Sequence, residues 1–121
     1  VSGNIDGTDI RSVAPECQRH IRNGLDIYMT HIGGYPGKYT RKIKKIMEEN
    51  PPGLFICGHS HILKVIPDHK YKLLHVNPGA AGYHGFHKIR TAIRISIIRS
   101  RPTDLEILEM GPRSVHKTPG Y

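Results

Sequence analysis

Three short polar segments of this chain carry side chains that can bind metal ions. They are Gly3–Asp6 (GNID), Thr30–Gly33 (THIG) and Gly58–His61 (GHSH), and together they offer an amide oxygen, three imidazoles and a carboxylate. Mixed imidazole and oxygen ligands suit Mn, Fe or Zn rather than Ca. Two such cations about 3.5–4 Å apart can clamp the attacking and leaving oxygens of a phosphoryl displacement and activate a water.

No single segment establishes such a site. With nine histidines in 121 residues, roughly 0.6–0.7 His-x-His pairs are expected by chance, so the pair His59 and His61 proves nothing alone. A lone His31 after a strand is more often a hydrogen-bonded structural residue. Asn4 beside glycine is by default a turn residue. From residue types and spacing alone, a metal site and a set of structural residues stay equal alternatives.

Two predicted strands lead directly into the second and third segments. Residues 25–30 (LDIYMT) alternate more and less apolar side chains, which favours a strand. Residues 54–57 (LFIC) form a continuous apolar run between glycines, which is typical of a strand buried on both faces. Loops after the strands of an open α/β sheet are where such folds place their sites.

The remaining pattern predicts a strand-rich α/β chain with one helix. Thr40 can cap a helix over residues 41–49, whose apolar stripe is Ile43, Ile46 and Met47. Further strands are predicted at 63–66, 73–76, 93–97 and 105–110, with a hairpin loop at 100–104. Residues 1–9 favour turns, and residues 11–24 are interpreted as a connecting loop or a short strand with turns.

Composition excludes several classes of function. The net charge is +8, but the basic residues are scattered and no Trp is present, which favours a solvated surface over a nucleic-acid site. No apolar run approaches the ~20 residues of a membrane span. Two cysteines cannot form a disulfide framework, so we expect a cytoplasmic protein in which Cys57 is a buried reduced thiol.

The order of the motifs resembles that of the calcineurin-like metallophosphoesterases, most closely the small bacterial and archaeal phosphodiesterase branch. The similar stretches are Thr30–Gly37 (THIGGYPG), Phe55–Leu63 (FICGHSHIL), Asn77–Ala80 (NPGA) and Gly85–Thr91 (GFHKIRT). The resemblance covers about residues 1–111. It implies the C-terminal portion of an αββα sandwich, in which two packed mixed sheets are flanked by helices.

The resemblance also implies a ligand set for two divalent cations. Asn4, His31 and His59 match the family's ligands for the second metal, and His61 matches a ligand of the first. Mn is expected, with Fe, Zn or Ni as alternatives. Asp6 matches the motif carboxylate, and we expect it to orient a ligand rather than bind metal. The implied reaction is hydrolysis of a small phosphodiester by a hydroxide activated between the two metals.

Position 5 separates this chain from the larger phosphatases and DNA-repair nucleases of the superfamily. Those proteins have a catalytic histidine after the motif Asn, whereas this chain has Ile5. In this respect it resembles the small branch, in which a residue other than histidine is usual at this position. No catalytic proton donor is therefore assigned. The segment Asn77–Gly79 is interpreted as a turn that supports the site from behind.

Two family motifs do not occur in these 121 residues, namely Asp-x-His and a Gly-Asp-x-x-Asp that precedes the Asn motif. We therefore expect residues 1–111 to be the C-terminal two-thirds of a single phosphoesterase domain, with a basic, mobile tail at 112–121. Such a part alone is expected to bind metal weakly and to show no turnover. A metal-poor natural variant is a weaker alternative, and so is a protein-interaction scaffold of the same fold, as in the retromer subunit.

Overall fold

A five-stranded mixed sheet organises the chain, and the computed structural model describes residues 1–114. In chain order the elements are α1 (Thr8–Val13), β1 (Cys17–Arg22), β2 (Leu25–Thr30), β3 (Gly34–Tyr35), β4 (Lys38–Tyr39), α2 (Arg41–Glu49), β5 (Leu54–Ile56), β6 (Leu63–Asp68), β7 (Leu73–Pro78), β8 (Ile89–Ile98) and β9 (Arg101–Pro112). The sheet order is β1-β2-β5-β7-β6.

The three central strands run parallel, and this direction places their following loops together. β5 pairs in parallel with both β2 and β7, while β1 and β6 pair antiparallel at the two sides of the sheet. Because parallel neighbours end at the same edge, the residues after β2, β5 and β7 converge there.

Helix α2 covers one face of the sheet. The Thr40 side chain accepts a hydrogen bond from the Ile43 amide at 3.4 Å, as the predicted cap requires. Ile43 and Met47 are each 1% exposed and pack on the sheet. Their buried partners are Tyr28, Phe55, Cys57 and Leu73. Each fully buried apolar side chain of this kind stabilises the fold by about 1.5–3 kcal/mol.

The antiparallel pair β8–β9 covers the opposite face. The alternating side chains Ile93, Ile95 and Ile97 of β8 pack on a buried cluster formed by Leu25, Leu54 and Val76. The period-two pattern of β8 thus turns one set of side chains toward the larger sheet. The predicted α/β fold with two packed sheets is confirmed, and within the described residues the second sheet consists of this one pair.

Two local predictions need correction. Residues 11–24 were interpreted as a connecting loop or a short strand with turns; β1 at Cys17–Arg22 confirms the strand, but helix α1, which extends to Val13, was not predicted. The hairpin between β8 and β9 turns at Arg99 and Ser100 rather than over 100–104. Both turn residues have positive φ (50° and 67°), the conformation that lets a two-residue loop match the twist of its strands.

The C-terminal end of the described chain is tied to the fold. Pro112 is the last residue of β9, and the Arg113 amide donates to the Lys88 carbonyl at 2.9 Å. Of the predicted tail at 112–121, residues 115–121 lie outside the described residues. Within the described part, neither helix has the length and apolar character needed to cross a membrane.

Candidate metal centre

Two of the three polar segments meet because β2 and β5 are parallel neighbours. His31 follows the last residue of β2, and Gly58-His59 follows β5 by one residue. The Gly58 amide donates to the His31 carbonyl at 2.9 Å, which joins the two loops directly after their strands. The backbone therefore fixes the separation of the His31 and His59 imidazoles.

The third segment reaches the same place as a tight turn held by α1. The Gly3 amide donates to Asp6 Oδ2 at 2.6 Å, and the Asp6 amide donates to the Gly3 carbonyl at 3.2 Å. From α1, Arg11 donates to the Asp6 carbonyl at 2.8 Å and to the Gly3 carbonyl at 3.1 Å. These bonds hold Asn4 at the apex. The role of Arg11 was not predicted, because residues 11–24 were interpreted as a connecting loop or a short strand with turns.

Asn4, His31 and His59 place one polar atom each at the corners of a small triangle. Asn4 Oδ1 lies 2.8 Å from His31 Nε2 and 3.2 Å from His59 Nδ1, and the two nitrogens are 3.3 Å apart. Three ligands about 2.1 Å from a common cation are themselves ~3–3.4 Å apart. The triangle therefore fits the contact atoms of a single divalent cation.

The triangle contains only two side chains of the His, Cys, Asp or Glu types that most often bind metals in proteins, namely His31 and His59. Among the described residues, no group of three or more His, Cys, Asp or Glu side chains is close enough to hold a metal ion. The triangle includes an amide in place of a third such group. One amide oxygen with two imidazoles is a partial coordination sphere, and it leaves positions open for further ligands, water or substrate.

The electrostatics of His31 favour its neutral form. Burial lowers the pKa of His31 below its ordinary value, and the neighbouring His59 and His61 lower it further, whereas the Asp6 carboxylate raises it. A neutral imidazole nitrogen is the form that binds metal. The Asp6 carboxylate itself accepts from Gly3, so Asp6 shapes the turn that carries Asn4.

His61 lies on the wall of the same cleft without joining the triangle. The cleft has a volume of about 540 Å³, and its lining includes Asn4, His31, His59 and His61. Two strongly exposed apolar side chains, Ile5 and Phe86, also border it. The structure thus gathers the four predicted ligands around one cleft, three of them in contact distance.

The loop that carries His59 and His61 is strained and is held from behind. Both residues have positive φ (73° and 61°), a conformation that costs a non-glycine residue of order 1–3 kcal/mol. Asn77 is 1% exposed and donates to the Gly58 carbonyl and to Ser60 Oγ, each at 3.1 Å. Asn77 and Pro78, predicted as part of a supporting turn at Asn77–Gly79, instead belong to β7, and the support comes from the Asn77 side chain.

One further histidine belongs to this neighbourhood and was not predicted as a site residue. The His87 ring lies edge-to-face against His61, with ring centroids 5.1 Å apart. His87 lies in the stretch Gly85–Thr91, which was noted only as one of the stretches similar to the family, and no role was assigned to the histidine.

Comparison of solved structures shows the same fold in longer proteins. A predicted phosphoesterase from Streptococcus pneumoniae matches with 22% identity and a TM-score of 0.66, over 98% of this chain and 64% of its own. An archaeal phosphodiesterase matches with 17% identity and a TM-score of 0.63, over 89% and 66%. Zn²⁺-complexed Vps29 from Entamoeba histolytica matches with 14% identity and a TM-score of 0.57, over 82% and 61%. The chain thus spans about two-thirds of the length of these structures.

Family comparison extends the likeness from the fold to the sequence pattern. The comparison with curated proteins found no match. The model of the calcineurin-like phosphoesterase superfamily domain matches residues 1–99, a range that includes all three polar segments and the whole of β8. With the matching fold around the converged Asn and His side chains, this chain belongs to the calcineurin-like phosphoesterase superfamily.

Proposed function

We propose that this chain is the part of a metal-dependent phosphodiesterase that supplies one metal position and a ligand of a second. The observation that carries the proposal is the triangle of Asn4 Oδ1, His31 Nε2 and His59 Nδ1, with sides of 2.8–3.3 Å. These three atoms would hold one divalent cation, and His61 would serve the other. Mn²⁺ is the proposed cation, and a small phosphate ester is the proposed substrate.

The side chains around the cleft determine what the protein itself would contribute to the hydrolysis, apart from the bound cations. Bound divalent cations would supply the positive charge that activates a water and neutralises the phosphate oxygens. Asn4 and the histidines contribute fixed positions, because their loops are joined to each other and to the sheet by backbone bonds. Ile5 is 91% exposed and has no proton to give, so it cannot serve as the general acid.

Direct observation of metal binding tests the proposal on the chain itself. We expect added Mn²⁺ to broaden the ring resonances of His31 and His59 in NMR spectra, and to leave those of the exposed His69 unchanged. The substitution His59→Ala should abolish the broadening at His31, because it removes one corner of the triangle. His69→Ala is the matched control. Equal broadening in His59→Ala and the unsubstituted chain would contradict the ligand assignment.

Hydrolysis of bis(p-nitrophenyl) phosphate tests the reaction. We expect no turnover by residues 1–121 alone, and Mn²⁺-dependent turnover by a chimera in which the N-terminal third of the archaeal relative precedes Val1. In that chimera, His59→Ala should reduce kcat/KM by about 100-fold or more, since a ligand contributes at least as much as its outer partners do. Full activity of the His59→Ala chimera would overturn the proposed role.

A protein-interaction scaffold is the alternative function, and the exposed apolar side chains of β9 are the observation that favours it. Ile107 is 47% and Leu108 42% exposed. Elemental analysis of the purified intact protein, of which this chain is the proposed C-terminal part, separates the alternatives, because a scaffold needs no bound metal. A stoichiometric transition metal would support the phosphodiesterase, and its absence would support the scaffold.

A further inference from the structure

The motif Gly85–Thr91 spans the end of the loop between β7 and β8 and the start of β8, and the ends of this loop are firmly anchored. At the β8 end, Thr91 Oγ1 donates to the Pro78 carbonyl at 2.8 Å, and the Thr91 amide donates to the Ala80 carbonyl at 2.9 Å. Arg90 donates to the Met110 carbonyl and lies 4.3 Å over the Tyr83 ring. The loop is therefore a fixed wall beside the cleft.

His87 is held within this wall by hydrogen bonds of its ring and of its backbone carbonyl. Its Nε2 lies 2.9 Å from the Gly82 carbonyl, and its own carbonyl accepts from Arg113 Nε at 2.7 Å. A carbonyl only accepts, so Nε2 carries the proton and Nδ1 is a bare acceptor in the neutral ring. This Nδ1 is buried and has no hydrogen-bond partner among the described residues, which is an unusual state for a buried polar atom.

The His61 imidazole lies beside this buried acceptor. The two rings are nearly perpendicular, at 89°, with centroids 5.1 Å apart. A Cβ placed on Gly85 would lie 2.1 Å from His61 Nδ1 and 3.0 Å from His87 Nδ1, so both nitrogens border one small space. Gly85 also has a φ of +132°, so only glycine suits this approach.

We propose that His87 is a positioning residue for His61. Its ring confines the His61 imidazole, and its Nδ1 is an acceptor that makes no hydrogen bond in this structure. A rotation of the His61 ring within the shared space would bring the His61 Nδ1–H to this acceptor, which leaves His61 Nε2 free to bind a cation. This inference rests on the proposed metal-binding function of His61. Residues that orient a metal-bound histidine through its other ring nitrogen affect metal affinity by about 10–100-fold.

Ring NMR of the metal-free chain tests the positioning independently of metal. We expect nuclear Overhauser effects between the His61 and His87 ring protons, and ¹⁵N shifts of His61 that correspond to the Nδ1–H tautomer. His87→Ala should remove that preference, whereas His84→Ala, an exposed histidine of the same loop, should not. A His61 ring found as the Nε2–H tautomer in the unsubstituted chain would overturn the proposal.

Mn²⁺ titration of the same variants tests the consequence. We expect His87→Ala to weaken binding at His61 by about 10–100-fold, and His84→Ala to leave it unchanged. His87→Phe keeps an aromatic ring but no acceptor, so we expect it to weaken binding as well. Unchanged affinity in His87→Phe or His87→Ala would overturn the role of the acceptor.

The two experiments also separate this inference from the proposed function. If the unsubstituted chain binds no Mn²⁺ while the His61 tautomer still depends on His87, the positioning is supported and the metal-binding function fails. If Mn²⁺ binds at Asn4, His31 and His59 but His87→Ala changes neither the tautomer nor the affinity, the proposed function is supported and the role of His87 is overturned.

Discussion

Cys57 and His75 form a buried pair whose chemistry is structural. His75 is 0% exposed, and its Nε2 lies 2.9 Å from the Gly34 carbonyl and 3.4 Å from Cys57 Sγ. Burial raises the pKa of the Cys57 thiol to about 11 and lowers the pKa of His75. A protonated thiol beside a neutral imidazole is not an activated nucleophile. The pair instead ties β7 to the Gly-rich segment that follows His31.

His75 makes the stability of the fold depend on pH. Its folded pKa lies below the ordinary value of 6.5, so the unfolded chain binds more protons and the free energy of unfolding falls as the pH drops below about 6.5. We expect His75→Gln, which keeps a donor for Gly34, to flatten this dependence in urea titrations between pH 5 and 8. The exposed His69→Gln is the control. An unchanged pH slope in His75→Gln would contradict the prediction.

At the scale of the elements, the parallel direction of β2, β5 and β7 does most of the positioning. It brings His31, the His59 loop and Asn77 to one edge of the sheet. The Asn77 side chain then serves both neighbouring turns, because its Oδ1 accepts from the Gly79 amide at 3.0 Å while its Nδ2 donates to Gly58 and Ser60. One amide thus supports the strained backbone at His59.

Removing that amide should loosen the loop. We expect Asn77→Ala to lower the free energy of unfolding by about 1–3 kcal/mol, since partly buried backbone groups of Gly58 and Gly79 lose their partner. It should also broaden or shift the His59 amide resonance. Asn50→Ala, at the exposed end of α2, is the matched control, and chemical denaturation with NMR measures both effects. Equal stability of the two variants would refute the supporting role of Asn77.

At the scale of the whole molecule, the pair β8–β9 has one covered and one open surface. Its β8 isoleucines pack on the larger sheet, but β9 exposes apolar side chains over much of its length. These residues are Leu105, Ile107, Leu108 and Met110. Several exposed apolar side chains along one long strand favour association with another chain or segment.

We therefore expect residues 1–121 to self-associate. Sedimentation velocity should show a concentration-dependent increase in mass, and the double substitution Ile107→Thr with Leu108→Thr should reduce it by removing apolar area. Ile21→Thr on β1, where the isoleucine is 67% exposed, controls for the loss of any exposed isoleucine. Monodisperse behaviour of the unsubstituted chain at all concentrations would contradict this expectation.

Local patterns were sufficient for the regular elements with strong signals. The apolar stripe of α2, the buried run of β5 and the alternation of β8 are each set by side chains close in sequence, and the structure confirms them. Local patterns were not sufficient for elements whose formation depends on contacts with other parts of the chain. α1 buries none of its residues, so it has no apolar stripe to recognise. β1 forms by pairing with β2.

Residue types and local spacing establish which groups are available for chemistry: an amide oxygen and several imidazoles at the ends of predicted strands. Which of these groups meet depends on strand order and direction, which no local pattern contains, and so is set by the fold. It placed Asn4, His31 and His59 within 3.3 Å of one another and set His61 apart against His87. Residues 27, 28 and 55 positions apart in the chain became neighbours because β2 and β5 are parallel and Arg11 secures the Asn4 turn.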